Sequence, residues 1–262
     1  MNEIYYFSGT GNSKRIAEDI IEHMPQTKLF SIADVRNEKI ETQAKTVGFV
    51  FPIYSLGIPR IVEKVIKTME FQGTKFIYAV ATMGGNYGIA FEQISKILKG
   101  KGEKLSATFS LTMGSNSNLF MKIPGTGLIS SEEEQEKLYT SALEKLDTIV
   151  DCIKNRIELY EPDIKFSSKL ISGLATKAFI GGLSKYDKGF RVSNCIKCGK
   201  CAKCCPVDNI EMDENGPKWL GKCEACLRCF NMCQNKAILY GKMDEPEMYK
   251  RYRRNIDIVT MD

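Results

Sequence analysis

Short runs of core-type residues alternate with amphipathic stretches over the first 160 positions. The runs at 3–7 (Glu3-Ile4-Tyr5-Tyr6-Phe7), 28–32, 46–51, 75–82 and 105–111 read as strands, with Val47, Phe49, Val50 and Phe51 in the strongest. Between them the spacing is helical. Ile16 and Ile20, with Ala17 and Ile21, stripe one helix; others are predicted over 61–69, after Pro59, and 89–98. A long helix is predicted over 131–157, with Leu138, Ala142, Leu146, Ile149 and Ile153 buried. Ser130 or Ser131 with Glu133 or Glu134 supplies its capping box. Five strands with intervening helices predict an α/β fold, a doubly wound parallel sheet. In the order 2-1-3-4-5, a ligand sits at the carboxyl ends of strands 1, 3 and 4.

From about 161 to 190 a connecting segment joins this domain (1–160) to a cysteine-rich C-terminal region. Phe166, Leu170, Leu174 and Ala178 keep helical spacing, with Lys165, Lys169 and Lys177 among them. A strap packed on the first domain or between domains is the favoured reading over a membrane-surface helix, and Gly181-Gly182 is expected to end it.

Three strand ends carry loops suited to a flat phosphorylated ligand. The first, Ser8-Gly9-Thr10-Gly11-Asn12-Ser13, lies between a strand and a helix, where backbone N–H groups and short hydroxyls can cradle an anion. It fits neither the Walker pattern nor the dinucleotide fingerprint, whose third glycine is replaced by Lys14. It resembles the flavodoxin pattern [ST]-x-T-G-N-[ST], which binds the phosphate of FMN. The third strand ends in Pro52-Ile53-Tyr54-Ser55-Leu56-Gly57-Ile58-Pro59, the fourth in Thr82-Met83-Gly84-Gly85-Asn86-Tyr87-Gly88. Each has a tyrosine and glycines, suited to an aromatic ring held by stacking and backbone hydrogen bonds.

Eight of the ten cysteines form two runs: Cys195-x2-Cys198-x2-Cys201-x3-Cys205-Pro206 and Cys223-x2-Cys226-x2-Cys229-x3-Cys233. This doubled spacing is that of bacterial ferredoxins with two 4Fe–4S clusters, in which the fourth thiolate comes from the other run. The expected quartets are Cys195, Cys198, Cys201 with Cys233, and Cys223, Cys226, Cys229 with Cys205. Structural zinc prefers separated pairs, and disulfides would suit a secreted chain. Gln234 stands where the second run would have proline. Cys204 offers an extra thiol, although Pro206 favours Cys205 as the ligand. A ferredoxin-like domain is expected over 191–241, with a tail over 242–262.

A net charge of +5 raises nucleic acid as a partner. Eight thiolates (about −8), two oxidised cubes (about +4) and a flavin phosphate would bring the loaded protein near neutrality. The one dense basic stretch, Lys250-Arg251-Tyr252-Arg253-Arg254, is short, so no nucleic-acid partner is expected. No leader and no membrane-length apolar run are visible, and a cytoplasmic location is expected. Cys152 reads as a core thiol. His23, the only histidine, reads as solvent-facing, and Trp219 as packed near a cluster.

Taken together the chain resembles a flavodoxin–ferredoxin fusion family of anaerobic bacteria and archaea. The likeness runs from Tyr5 to Ser13, through Phe51-Pro52-Ile53-Tyr54 and 82–88, to Trp219–Cys223, Ala237–Gly241 and 250–255. It implies a flavodoxin-like FMN domain followed by a small α+β bacterial ferredoxin-like domain with two 4Fe–4S clusters. The implied function is electron transfer between FMN and clusters, with redox proteins as partners. The alternative is an FMN-dependent reductase of a small organic substrate, with Ser115, Asn116, Ser117 and Asn118 lining its pocket. A redox sensor has less to support it, since no DNA-binding or signalling module is present.

Overall fold

The computed structural model describes residues 1–115, 130–241 and 251–252. It divides into two compact units. One comprises Met1–Ser8, Asn12–Gly114 and Glu132–Ala178; the other is built on the chain from Phe179 onward, with Gly9–Gly11.

In the first unit, β1 (Asn2–Tyr6), β2 (Thr27–Ser31), β3 (Thr46–Pro52), β4 (Phe76–Met83) and β5 (Ala107–Thr112) form one parallel sheet in the order β2-β1-β3-β4-β5. This is the flavodoxin-like, doubly wound arrangement. The crossover from β1 carries α1 (Asn12–His23), and α2 (Ile32–Val35) follows β2. The crossovers from β3 and β4 carry α3 (Arg60–Thr68) and α4 (Ala90–Lys99). β2 lies to one side of β1, and β3 to β5 build outward on the other. With right-handed crossovers, that reversal puts α1 on one face and α3 and α4 on the opposite face. Both faces are therefore covered, which explains why β3 and β4 are buried almost throughout.

After β5 come α5 (Glu132–Glu144) and α6 (Leu146–Asn155) rather than one helix. A single tight turn separates them, in which Lys145 N–H donates to the Ala142 carbonyl at 3.2 Å. The buried stripe survives the break. Ala142, Leu146, Ile149 and Ile153 pack in one core with Ile16, Ile20, Val50 and Phe109. The open edge of β5 is closed by the chain at 159–161. Thr108 N–H donates to Leu159 O at 2.8 Å, and Ser110 N–H to the Glu161 carboxylate at 2.5 Å. A carboxylate here takes the place of a neighbouring strand's carbonyl.

The helix α7 (Phe166–Tyr186) runs through Gly181-Gly182 instead of ending there. Two glycines cost a helix roughly 2 kcal/mol against alanine. Burial of Leu183 beyond them, 1% exposed, opposes that cost. The expected packing stripe is also reversed. Phe166, Leu170 and Leu174 face solvent, while Ser172 and Thr176 are buried.

The second unit contains β6 (Phe190–Val192), α8 (Lys200–Lys203), β7 (Ile210–Asp213), β8 (Gly216–Trp219), α9 (Arg228–Met232) and β9 (Ile238–Tyr240). Two antiparallel pairs form, β6 with β9 and β7 with β8. The unit is an internal repeat offset by the 28 residues from Cys195 to Cys223. That offset carries the start of α8 onto the start of α9. It also carries the positive-φ residues Lys197, Gly199 and Asp208 onto Ala225, Leu227 and Lys236. The strand pairings knit the repeats together, since β6 of the first finds its partner in β9 of the second. Phe190, Ile210, Leu227, Phe230 and Ile238 make the shared core, with Trp219 stacked on Phe190 at 5.1 Å.

Candidate functional sites

The first candidate site lies at the carboxyl ends of β1, β3 and β4, where the sheet order reverses. Asn12 and Ser13 form the first turn of α1, so the hydroxyl-rich loop runs directly into a helix N-terminus. Gly11 sits at φ 111°, a backbone region that side chains disfavour. Ser8, Thr10, Asn12 and Ser13 are all buried. The Ser13 and Thr82 hydroxyls share a hydrogen bond of 2.7 Å, which ties the β1 loop to the end of β4. The Asn12 amide donates to Gly114 O at 3.2 Å, tying the same loop to the chain after β5.

The β3 loop is a tight hairpin turn. Tyr54 and Gly57 exchange backbone hydrogen bonds of 2.9 and 3.1 Å, with Ser55 at φ 47° and Leu56 at φ 67°. It is locked to the β4 loop. Ile89 N–H donates to Leu56 O at 2.8 Å, and a side chain on Gly88 would place its Cβ 2.1 Å from that oxygen. Tyr54 meets Phe7 edge-on at 6.2 Å. Tyr87 is held differently. Its ring packs 5.2 Å from Phe91, and its hydroxyl donates to Pro162 O. Gly84, Gly85 and Asn86 are exposed, while Pro52, Ile53 and Met83 are half-buried. The Ser115 N–H donates to Ser130 Oγ at 3.0 Å. Asn116, Ser117 and Asn118 lie outside the described residues.

The second candidate site is the pair of cysteine quartets. Cys195, Cys198, Cys201 and Cys233 line one cavity, together with Ile196, Met212, Pro217 and Ile238. Three thiols thus come from the first run and one from the second. Cys205 lies near Cys223, Cys226 and Cys229, and Cys204 lies near Cys229 as well. Backbone N–H groups point at four sulfurs in repeat-related pairs. Lys197 and Ala225 N–H donate to Cys195 and Cys223 at 3.4 and 3.3 Å, and Asn209 and Ala237 N–H to Cys205 and Cys233 at 3.2 Å each.

Burial pushes the Cys201 thiol up to about 11 and that of Cys226 to about 11, and raises Cys223 and Cys229 as well. A thiol kept protonated by desolvation becomes a ligand when a cation replaces the proton. Among the described residues, no three His, Cys, Asp or Glu side chains converge as they would on one metal ion. Cys204 is 4% exposed, its Sγ lies 3.5 Å from Cys201 O, and burial pushes it up to about 12.

Two supporting residues carry no sequence motif. Asp187 is buried, and its carboxylate accepts from the Asn209 amide at 3.1 Å and Gly221 N–H at 2.7 Å. The Asn209 side-chain oxygen, Oδ1, accepts from Leu220 and Lys222 N–H at 3.3 and 2.5 Å. Together they shape the approach to Cys223. In sequence both look like ordinary turn residues.

No protein-family model matches the chain, and no curated protein does. Solved structures do. A flavodoxin mutant from Fusobacterium nucleatum bound to flavin mononucleotide is 17% identical, with a TM-score of 0.36 over 57% of this chain and 94% of that one. An azoreductase from Bacillus anthracis is 12% identical, with a TM-score of 0.38 over 58% and 99%. A putative flavoprotein from Bacteroides uniformis is 18% identical, with a TM-score of 0.35 over 44% and 91%.

Proposed function

We propose that the chain is an electron-transfer protein that binds FMN in its first unit and two 4Fe–4S clusters in its second. The observation that carries the cluster reading is the cavity shared by Cys195, Cys198, Cys201 and Cys233. A thiol from the second run beside three from the first is what interlocked ligation requires. The flavin reading rests on the loop 8–13 at the switch point of a 2-1-3-4-5 sheet.

On this reading Ser8 to Ser13 hold the phosphate, through hydroxyls and amides at the start of α1. The turn at 54–57 and the loop 82–88 border the ring. Clusters supply single-electron capacity and a flavin supplies capacity for one or two electrons, so the protein would join partners of both kinds. The chain's own contribution is positional. The amides directed at Cys195, Cys205, Cys223 and Cys233 favour their thiolate forms.

Anaerobic purification with iron, sulfide and flavin counting tests the reading. Two cubes and one FMN per chain are expected. Zinc, iron for a single cluster, or release of FAD in mass spectrometry would overturn the corresponding part. Replacing Gly11 by valine is expected to weaken FMN binding, because φ 111° excludes a β-branched side chain.

A further inference from the structure

The two repeats of the second unit bury their cysteine runs unequally. Cys198 is exposed, whereas Cys223 and Cys229 are 9 and 8% exposed. The offset of 28 residues sets position against position. Ile196, 67% exposed, corresponds to Glu224, which is buried. Exposed Lys197 corresponds to half-buried Ala225, and exposed Lys203 to buried Asn231. Gly199 corresponds to Leu227, which is buried. The first run therefore reaches the surface, while the second is largely covered.

Charge separates the repeats as well. The stretches that supply the first quartet, 193–204 and 233–240, contain Lys197, Lys200, Lys203 and Lys236 and no Asp or Glu. Lys197, Lys203 and Lys236 are exposed. Lys200 Nζ donates to Gln234 Oε1 at 2.8 Å, which joins the two stretches. The hairpin that completes the cavity turns its acids away. Met212 and Pro217 line the cavity, so strand alternation puts Glu211 and Asp213 on the other face, where Lys218 stands opposite Glu211. Glu214 lies at the hairpin tip, and Asp208 follows Cys205, a member of the other quartet. Four thiolates and an oxidised cube would add about −2, which leaves the four lysines in excess. One exposed isoleucine is too little apolar surface to hold a membrane, and these stretches expose no aromatic ring on which a base could stack. An apolar centre with a charged rim suits a protein partner, and redox encounters are small and steered by charge rather than held by area.

We propose that the surface carrying Ile196, Lys197 and Lys203 is the port at which the first quartet exchanges electrons with a separate, negatively charged redox protein. The proposal rests on the cluster reading above, and adds which quartet meets the partner and the sign of the partner's charge. One electron crosses in each encounter. The reduced partner loses it, the cube held by Cys195, Cys198, Cys201 and Cys233 gains it, and no bond or proton changes place. The more buried quartet of Cys205, Cys223, Cys226 and Cys229 is the inner member of the pair.

The probe is a flavodoxin of strongly negative net charge, fully reduced and mixed in stopped flow with the oxidised full chain carrying its cofactors. The rate for the parent chain is expected to fall as salt rises. At low salt Lys197→Gln/Lys203→Gln should be about tenfold slower and Lys203→Gln alone slowed less, while Lys218→Gln, on the other face of the hairpin, should match the parent. Carbodiimide cross-linking of the same two proteins reads the encounter without electron transfer, and the linked peptide should contain Lys197 or Lys203. Iron and sulfide counts on every variant keep the two questions apart. With two cubes present, the port would be overturned, and the cluster reading left standing, by a rate indifferent to salt or by equal effects of Lys218→Gln and Lys203→Gln. Cross-links confined to positions outside 193–204 and 233–240 would overturn it too. A parent chain without iron would overturn both.

Discussion

Gly48 and Tyr78 are register partners across β3 and β4, and a Cβ on Gly48 would lie 2.2 Å from the tyrosine Cζ. The ring, 1% exposed, fills the space that its neighbour leaves empty. Glycine in a central strand is otherwise unfavourable, and here the close approach explains it. Gly48→Ala is therefore expected to cost about 1–3 kcal/mol through overpacking. A drop of several degrees in the thermal midpoint of the loaded protein is the readout. Adding Tyr78→Leu should recover part of it. An unchanged midpoint in Gly48→Ala would mean that the ring has a second position available.

Cys233 shares a cavity with three cysteines that precede it by more than thirty positions in the chain. On the proposed ligation, Cys233→Ser should therefore damage the cluster of the first run and spare that of the second. Iron content should fall by about half, with one of two electron paramagnetic resonance signals lost. If the surviving signal instead belongs to the first run, each run holds its own cluster and the interlocked assignment is wrong.

Tyr54 and Tyr87 are not equivalent in the structure. Tyr87 is anchored by Phe91 and the Pro162 carbonyl, whereas Tyr54 meets Phe7 edge-on beside the β1 loop. An electron-rich ring over a flavin disfavours the negatively charged reduced form. Tyr54→Ala is expected to raise the flavin reduction potential, and Tyr87→Ala to have the smaller effect. Spectroelectrochemical titration of both variants measures this. A larger shift in the Tyr87 variant would reverse the assignment.

Arg251 and Tyr252 fasten to the second unit. Tyr252 is fully buried, and its N–H donates to Asn231 Oδ1 at 2.7 Å. Arg251 lies 3.5 Å over the Phe230 ring and donates to Ile238 O at 2.9 Å. Tyr252→Ala should cost about 3–5 kcal/mol locally. The expected result is faster iron loss with flavin retention unchanged, while Tyr252→Phe keeps the backbone contact and most of the packing. Equal loss of iron and flavin would argue against a local role.

These contacts also mark where the sequence stops being informative. The sheet and its order are legible because both faces of β3 and β4 are covered, which leaves near-continuous apolar runs. The turn at 8–13 is legible because the passage from strand to helix with Gly11 at φ 111° leaves a recognisable run of small residues. The basic run at 250–254 registers in sequence only as a short stretch of charge, yet Arg251 stacks on Phe230 and Tyr252 is core. Charge in one dimension does not show that an aromatic ring and two carbonyls wait for it. The facing of α7 is hidden for a similar reason. Spacing identifies a stripe at Phe166, Leu170 and Leu174, but the backbone of the 54–57 turn selects hydroxyls as its neighbours. Asp187 and Asn209 are invisible in sequence because, apart from each other, their partners are main-chain amides, which every chain has.

The pairing of β6 with β9 imposes an order on biosynthesis. A chain emerging N-terminus first can close the β7–β8 hairpin at once, since only Glu214 and Asn215 separate the strands. β6 stays unpaired until Tyr240 has left the ribosome. On the proposed ligation, Cys205, Cys223, Cys226 and Cys229 are all available before Cys233 appears. The cellular machinery that delivers iron and sulfide would meet one complete set of ligands while the other still lacks its last member.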